Sequence, residues 1–183
     1  MRGIQFALIL LVMMTVFPLS ASEITGAFGI GFGERIDTGK YKQLGLDNTY
    51  GLKYGFIPEN PFRPLEDYTM YVTPETHRVY QITASATFTS DKGCLRVLVE
   101  LEQALEKKYE KTSREIPKDF GRIPEISFGK SSRTIEANCT GFLFSKKLNL
   151  VYLDEQLREQ GGKEFQQARE SGNTSVQQDT SGL

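Results

Sequence analysis

The chain has 183 residues, of which 39% are hydrophobic, and its 22 basic and 23 acidic side chains leave a formal net charge of −1. The length and the apolar fraction suit one domain with its own hydrophobic core. The balanced charge argues against nucleic-acid binding, because chains that bind phosphate backbones normally carry a basic excess.

The first 22 residues are typical of a cleavable signal peptide. Arg2 precedes an apolar run from Ile4 to Phe17, and small residues occupy positions 20–22. The apolar run is shorter than the roughly 20 residues that a membrane-spanning helix needs. We therefore expect cleavage after Ala21 or Ser22, no transmembrane segment after cleavage, and a periplasmic or secreted protein.

A glycine-rich stretch, TGAFGIGFGERIDTGKY, follows at residues 25–41. A phosphate loop needs Ser or Thr after its Gly-Lys pair, and here Tyr41 follows Lys40. A dinucleotide fingerprint fails as well, because Glu34 takes the place of its third glycine. The stretch therefore predicts a short first strand with large apolar side chains on one face, and no cofactor.

The next predicted elements are strands. TYGLKYGF at residues 49–56 favours a strand, and PENPFRP at residues 58–64 favours a surface connection. Alternation in DYTMYVT and VYQITASATF predicts a hairpin, with a turn at residues 74–78 that holds the solvated side chain of His77.

A helix from about Lys92 to Glu110, with Asp91 as N-cap, is predicted next, because its apolar residues fall on one stripe that includes Cys94. In RTIEANCTGFLF, alternation places Cys139 on the same strand face as Ile135, Ala137 and Leu143. These are the chain's only two cysteines. An oxidising compartment favours a Cys94–Cys139 disulfide.

The chain closes with GFLFSKKLNLVYLD, which predicts a second hairpin that turns at Ser145–Lys147. Residues 156–183 are polar, and we expect a disordered tail there. The sequence thus predicts a signal peptide at 1–22 and one α+β domain at 23–155. That domain would contain an antiparallel sheet of about five or six strands packed by one long helix, with a single disulfide.

The sequence offers no residues that we can assign to catalysis, a cofactor or a metal ion. His77 is the only histidine, and there is no Cys/His cluster and no GxSxG elbow. We therefore lean toward a non-enzymatic binding or accessory protein that acts on another envelope or extracellular protein. A small hydrolase that uses two carboxylates, or an inhibitor of a foreign enzyme, stays an alternative.

Candidate interface residues come from two groups. Strand tyrosines divide between the sheet faces, so some should be exposed and could anchor a partner; they are Tyr68, Tyr71, Tyr80 and Tyr152. The second group belongs to the PENPFRP loop, which an inhibitor could present to its target: Pro61, Phe62 and Arg63.

Overall fold

A computed structural model of the chain describes residues 22–47, 51–115, 124–142 and 144–171. The predicted signal peptide, apart from Ser22, lies outside the described residues. So do Leu143 and residues 172–183 of the predicted tail.

The described residues form two sheets and two α-helices. A small sheet pairs β1 (Gly26–Ala27) with β2 (Ile30–Gly31). The main sheet contains β3 (Lys42–Asp47), β4 (Gly51–Gly55), β5 (Asp67–Val72), β6 (Val79–Phe88), β7 (Lys111–Glu115), β8 (Glu125–Lys130), β9 (Arg133–Phe142) and β10 (Ser145–Asp154). Helix α1 (Asp91–Glu106) follows β6, helix α2 (Glu155–Glu170) follows β10, and a 3-10 turn spans Thr38–Lys40.

The main sheet is antiparallel throughout, in the order β3-β4-β5-β6-β10-β9-β8-β7. Each half is a meander of four strands followed by a helix of 16 residues, and the halves meet where β6 pairs with β10. The α+β class with a helix on an antiparallel sheet is confirmed. The strand number exceeds the predicted five or six, partly because β3 and β7 are polar edge strands whose sequences do not alternate.

One face of the main sheet carries the core, and we call it the covered face. Its fully buried side chains include Met70, Ile82, Leu148 and Ile135 from four different strands. Helix α1 packs against β6, β9 and β10 with its stripe of buried apolar residues. Burial of this much apolar surface is the dominant favourable contribution to folding.

The disulfide joins helix α1 to the covered face, as predicted. Cys94 and Cys139 are bonded, with their Cα atoms 6.1 Å apart and both side chains buried. The helix boundaries differ slightly from the prediction. Ser90 is the N-cap in place of Asp91, since its hydroxyl accepts a hydrogen bond from the Gly93 N–H, and α1 ends at Glu106.

The glycine-rich stretch forms a hairpin, not the single strand that we predicted. Phe28 and Gly29 have φ angles of 54° and 85°, which makes the tight two-residue turn between β1 and β2. The turn directs the Phe28 ring into the core, 5.0 Å from the Tyr68 ring and 5.9 Å from the Tyr152 ring. At Gly26 a Cβ atom would lie 2.1 Å from the Ile30 carbonyl oxygen, so only glycine fits.

The expectation of a disordered tail is wrong for its first half, because residues 155–170 form α2. Asp154 caps this helix by accepting a hydrogen bond from the Leu157 N–H at 3.1 Å. The helix then packs against β10, β6 and β4, and Glu164 binds the turn between β5 and β6. The predicted turn at Ser145–Lys147 is also wrong, since those residues begin β10.

Candidate functional site

The second face of the main sheet, which we call the open face, contains a groove of about 1030 Å³. Its floor comes from alternate residues of β4, β5, β6 and β10, and one side is formed by residues 40–44. Because strand side chains alternate between faces, every second residue of these strands is in the core and its neighbours face this groove.

Strand pairing arranges the floor of the groove in rows of polar side chains. Directly paired residues lie on the same face of a sheet, so the register defines each row. From β4 to β9, the first row is Asp67, Ser85, Asn149 and Asn138; the second is Gly55, Thr69, Thr83, Val151 and Glu136; the third is Lys53, Tyr71, Gln81, Leu153 and Thr134. Hydroxyl and amide groups therefore predominate on the floor.

Hydrogen bonds orient part of this floor. The Asn149 amide nitrogen donates to Asn138 Oδ1 at 3.2 Å and lies 3.0 Å from Thr140 Oγ1, within hydrogen-bonding distance. Thr69 and Ser85 are small and nearly buried, at 9% exposure each. Gly55 has no side chain, which leaves room for Leu44 to lie over it. Small residues thus keep the floor low.

Lysines dominate the charge of the groove. Lys40, Lys42, Lys53 and Lys147 line it, against the carboxylates of Glu66 and Asp67. In the described part of the chain, Lys42, Lys53 and Lys147 have no carboxylate oxygen within 4 Å. The Lys53 ammonium lies 5.6 Å from the centre of the Tyr71 ring, in cation–π range.

Most of the tyrosines proposed as interface residues are in the interior. Tyr68, Tyr80 and Tyr152 are 7%, 0% and 7% exposed, so their rings present almost no surface to a partner. Tyr71 is half-buried and lines the groove on the open face. Tyr68 and Tyr152 belong to the core cluster, and the buried Tyr80 ring lies 6.2 Å from the Tyr71 ring; alternation in the sequence did not distinguish these positions.

The PENPFRP loop lies at the surface, and contacts with buried residues fix its position. Pro61 and Arg63 are exposed, whereas Phe62 is half-buried and packs against the core. The Tyr68 hydroxyl lies 3.3 Å from both the Phe62 and the Leu65 carbonyl oxygens, to which it can donate. The loop therefore presents Pro61 and Arg63 from a fixed base.

Three carboxylates are buried among the described residues, and each has a structural role. Glu102 pairs with Lys111 at 3.3 Å, and Asp154 accepts from Arg133 Nε at 2.7 Å while capping α2. Glu164 accepts hydrogen bonds from two backbone N–H groups and the Thr76 hydroxyl in the β5–β6 turn. None of the three lies in the groove.

The hydrogen bonds that Glu164 accepts also shift the pKa of its carboxyl group. Burial alone would raise the pKa of its carboxyl group, but hydrogen bonds from Thr76, Glu75 and Gln160 outweigh burial and lower it below the ordinary value. The charged form of Glu164 is therefore the one that holds α2 to the turn.

A second groove of about 610 Å³ lies beside α1, between that helix and the β1–β2 hairpin. Its lining includes Phe28, Leu101, Tyr109 and Tyr152. Burial, reinforced by Tyr109, raises the pKa of Tyr152, so its phenol stays protonated. Among the described residues that line this groove, Lys108 is the one with a charged side chain.

Neither a metal site nor a membrane span is found within the described residues. No three His, Cys, Asp or Glu side chains there are grouped to hold a metal ion. No described helix is long and apolar enough to cross a membrane. His77 lies in the β5–β6 turn with a φ of 51° and is half-buried.

Comparison with protein-family models, with curated proteins and with solved structures finds no match for this chain.

Sequence reasoning missed the residues that make this face distinctive. Gln81, Thr83 and Ser85 alternate with Ile82, Ala84 and Ala86, and the same pattern occurs in β10 with Lys147, Asn149 and Val151. The polar residues of each alternating strand indicate the open face, whereas most of the tyrosines proposed as interface residues are buried.

Proposed function

We propose that this protein is exported and binds an envelope or extracellular macromolecule through its open face. The observation that carries the proposal is the contrast between the faces of one large sheet. One face is filled by α1 and the β1–β2 hairpin, and the other contains a wide groove with three lysines that have no carboxylate within 4 Å among the described residues. A cleft of this kind is the default location of a binding site.

Export is supported by the sequence of residues 1–22 and by the disulfide, since disulfides persist in oxidising compartments. The mass of the exported chain tests this part. We expect a mature chain that begins at Ser22 or Glu23. Finding only the full-length chain, inside the cell, would contradict it.

A site-specific photocrosslinker tests the open face. Lys147 on the open face and Lys107 at the end of α1 are both exposed lysines, and each is replaced in turn by a photoreactive residue. Irradiation in the native envelope or culture fluid should shift the mobility of the chain labelled at 147 and not at 107. Equal adducts at both positions, or none at 147, would refute binding through this face.

Inhibition of a foreign enzyme is a second candidate, favoured by the fixed base beneath Pro61 and Arg63. It predicts that changing Pro61 and Arg63 to Ala abolishes partner binding, while open-face substitutions leave binding intact. The opposite result would favour the open face. The hydrolase alternative has less support, because the three buried carboxylates of the described residues each stabilise the fold.

A further inference from the structure

We infer that the occupant of the open face is an acidic polysaccharide, meaning an extended sugar chain that bears carboxylate or sulfate groups. This inference rests on the proposed function, and it names the chemistry of the ligand at the same site. It replaces the protein partner that the sequence alone suggested.

The hydrogen-bonding groups of the floor match a polyhydroxylated ligand. Amides and hydroxyls both donate and accept hydrogen bonds, as sugar hydroxyls do, and Gln81, Thr83 and Asn149 supply such groups on neighbouring strands. The third row adds the Tyr71 ring, onto which the C–H face of a sugar can stack. A floor of small polar residues leaves room for rings to lie close to the strands.

The charge of the groove favours an acidic sugar chain over a neutral one. Four lysines against two carboxylates give the groove a positive excess, in a chain whose formal net charge is −1. Lys53 and Lys147 are separated along the direction of the strands, since Lys53 shares the row of Gln81, whereas Lys147 pairs with Thr87, one row beyond that of Ser85. Two separate anionic groups on one ligand could therefore be bound.

The dimensions of the groove suit an extended chain. Its lining residues come from five neighbouring strands, from β3 to β10. Neighbouring strands are about 4.8 Å apart, so the distance from the first to the fifth strand is about 19 Å. Several consecutive sugar rings fit such a length.

The composition of the face argues against a protein partner. The centres of protein–protein interfaces are apolar and depleted in charged groups, with aromatic and Met residues enriched. In the described part of the open face, the rows hold one aromatic ring, Tyr71, and two aliphatic side chains, Val151 and Leu153, among hydroxyls, amides and charges. Two exposed apolar residues, Leu44 and Ile57, line the groove outside these rows.

Calorimetric titration of the oxidised chain tests the inference with probes of equal length. The acidic probes are hexasaccharides of galacturonate, of alginate and of heparin. Maltohexaose is the neutral control, and hexaglutamate is the acidic peptide control. We expect at least one acidic hexasaccharide to bind, and both controls to bind at least about tenfold more weakly.

Substitutions then locate the binding. Lys53→Gln combined with Lys147→Gln should lower the affinity for the acidic hexasaccharide by at least about tenfold, because it removes two charged contacts. Asn149→Ala should lower the affinity by a similar factor, because it removes hydrogen bonds to the sugar. The matched control is Lys92→Gln combined with Lys107→Gln, which removes the same charge from the region of α1. It should leave affinity unchanged, and thermal unfolding should confirm that all variants fold.

Three outcomes would overturn the inference. Hexaglutamate that binds as tightly as the sugars would make the occupant an acidic protein segment. Equal binding of maltohexaose would show that the lysines do not select the ligand. If no acidic hexasaccharide binds while the crosslinker at position 147 still forms its adduct, the ligand class is wrong but the proposed function stands.

Discussion

The two faces of the main sheet are made by the same strands and have opposite properties. In β6, Ile82 and Ala84 are 0% and 1% exposed, whereas Thr83 between them is half-buried and faces the groove. The side chains of the covered face pack in the core and stabilise the fold. The open face is then free to carry hydrogen-bonding groups that the fold does not need, and this separation suggests how to test each face alone.

The largest effect is expected on the covered face, from removal of the disulfide. Cys94→Ser combined with Cys139→Ser frees a segment of 45 residues. Chain entropy predicts a loss of about 4 kcal/mol in the free energy of unfolding. Denaturant titration measures this loss, and the native chain under a reducing agent should match the variant. A loss below about 1 kcal/mol would show that α1 stays on the sheet without its covalent link.

The β1–β2 hairpin gives the next effect through two glycines. Gly26→Ala places a Cβ 2.1 Å from the Ile30 carbonyl oxygen and should cost about 3 kcal/mol, because the hairpin must open. Gly29→Ala meets no atom within 4 Å and should cost about 1 kcal/mol, for its φ of 85° alone. Thermal unfolding compares the two. Equal losses would contradict the close approach at Gly26.

Glu164 connects α2 to the sheet and should show a pH-dependent effect. Glu164→Gln should cost about 1–2 kcal/mol at pH 7, because the neutral amide oxygen is a weaker acceptor than the carboxylate and the NH2 group cannot accept the hydrogen bonds from Thr76 Oγ1 and Gln160. The folded-state pKa of Glu164 is lowered from its ordinary value of 4.5. The contribution of the carboxylate is therefore present above that ordinary value and is lost as the pH falls through the lowered one.

The measurement for Glu164 is the stability difference between the native chain and the variant across pH. The difference should shrink on acidification below about pH 4.5. Glu170→Gln, near the exposed end of the same helix, serves as the control and should show little change at either pH. A constant difference for Glu164→Gln would mean that its charge is irrelevant to α2.

The smallest effect on stability is expected on the open face. Lys147→Ala should change the free energy of unfolding by less than about 0.5 kcal/mol, because the side chain is exposed. The same substitution at the neighbouring Leu148, which is fully buried, should cost about 3 kcal/mol. Denaturant titration of both variants tests the separation of the faces directly. Similar losses at the two positions would contradict it.

Much of the fold could be predicted from the sequence where apolar periodicity is strong. The helix stripe around Cys94 and the alternation of β5, β6 and β9 identified the core elements and the disulfide. Edge strands β3 and β7 were missed because neither of their faces is systematically apolar. Helix α2 was missed because an N-cap and the bonds of Glu164, rather than an apolar stripe, attach it to the domain.

The candidate site was less accessible than the fold. A groove arises from residues that adjoin only after the strands pair, and Lys53 and Lys147 are far apart in the chain. Three of the four predicted interface tyrosines are buried, for a physical reason. Large rings such as Tyr80 and Tyr152 gain most from burial, so their presence in a strand indicates the core at least as strongly as a binding surface.

The seam between β6 and β10 has a consequence for how the chain acquires its structure. This ladder, from Gln81–Leu153 to Phe88–Lys146, is where the two meanders of the main sheet are joined, and β10 is the last strand to be synthesised. Until it arrives, β6 and β9 each present an open edge with free N–H and C=O groups. Such long-range pairing is slow to form. A chain interrupted before Asp154 would thus be prone to aggregate, and folding completes only once the whole domain has emerged.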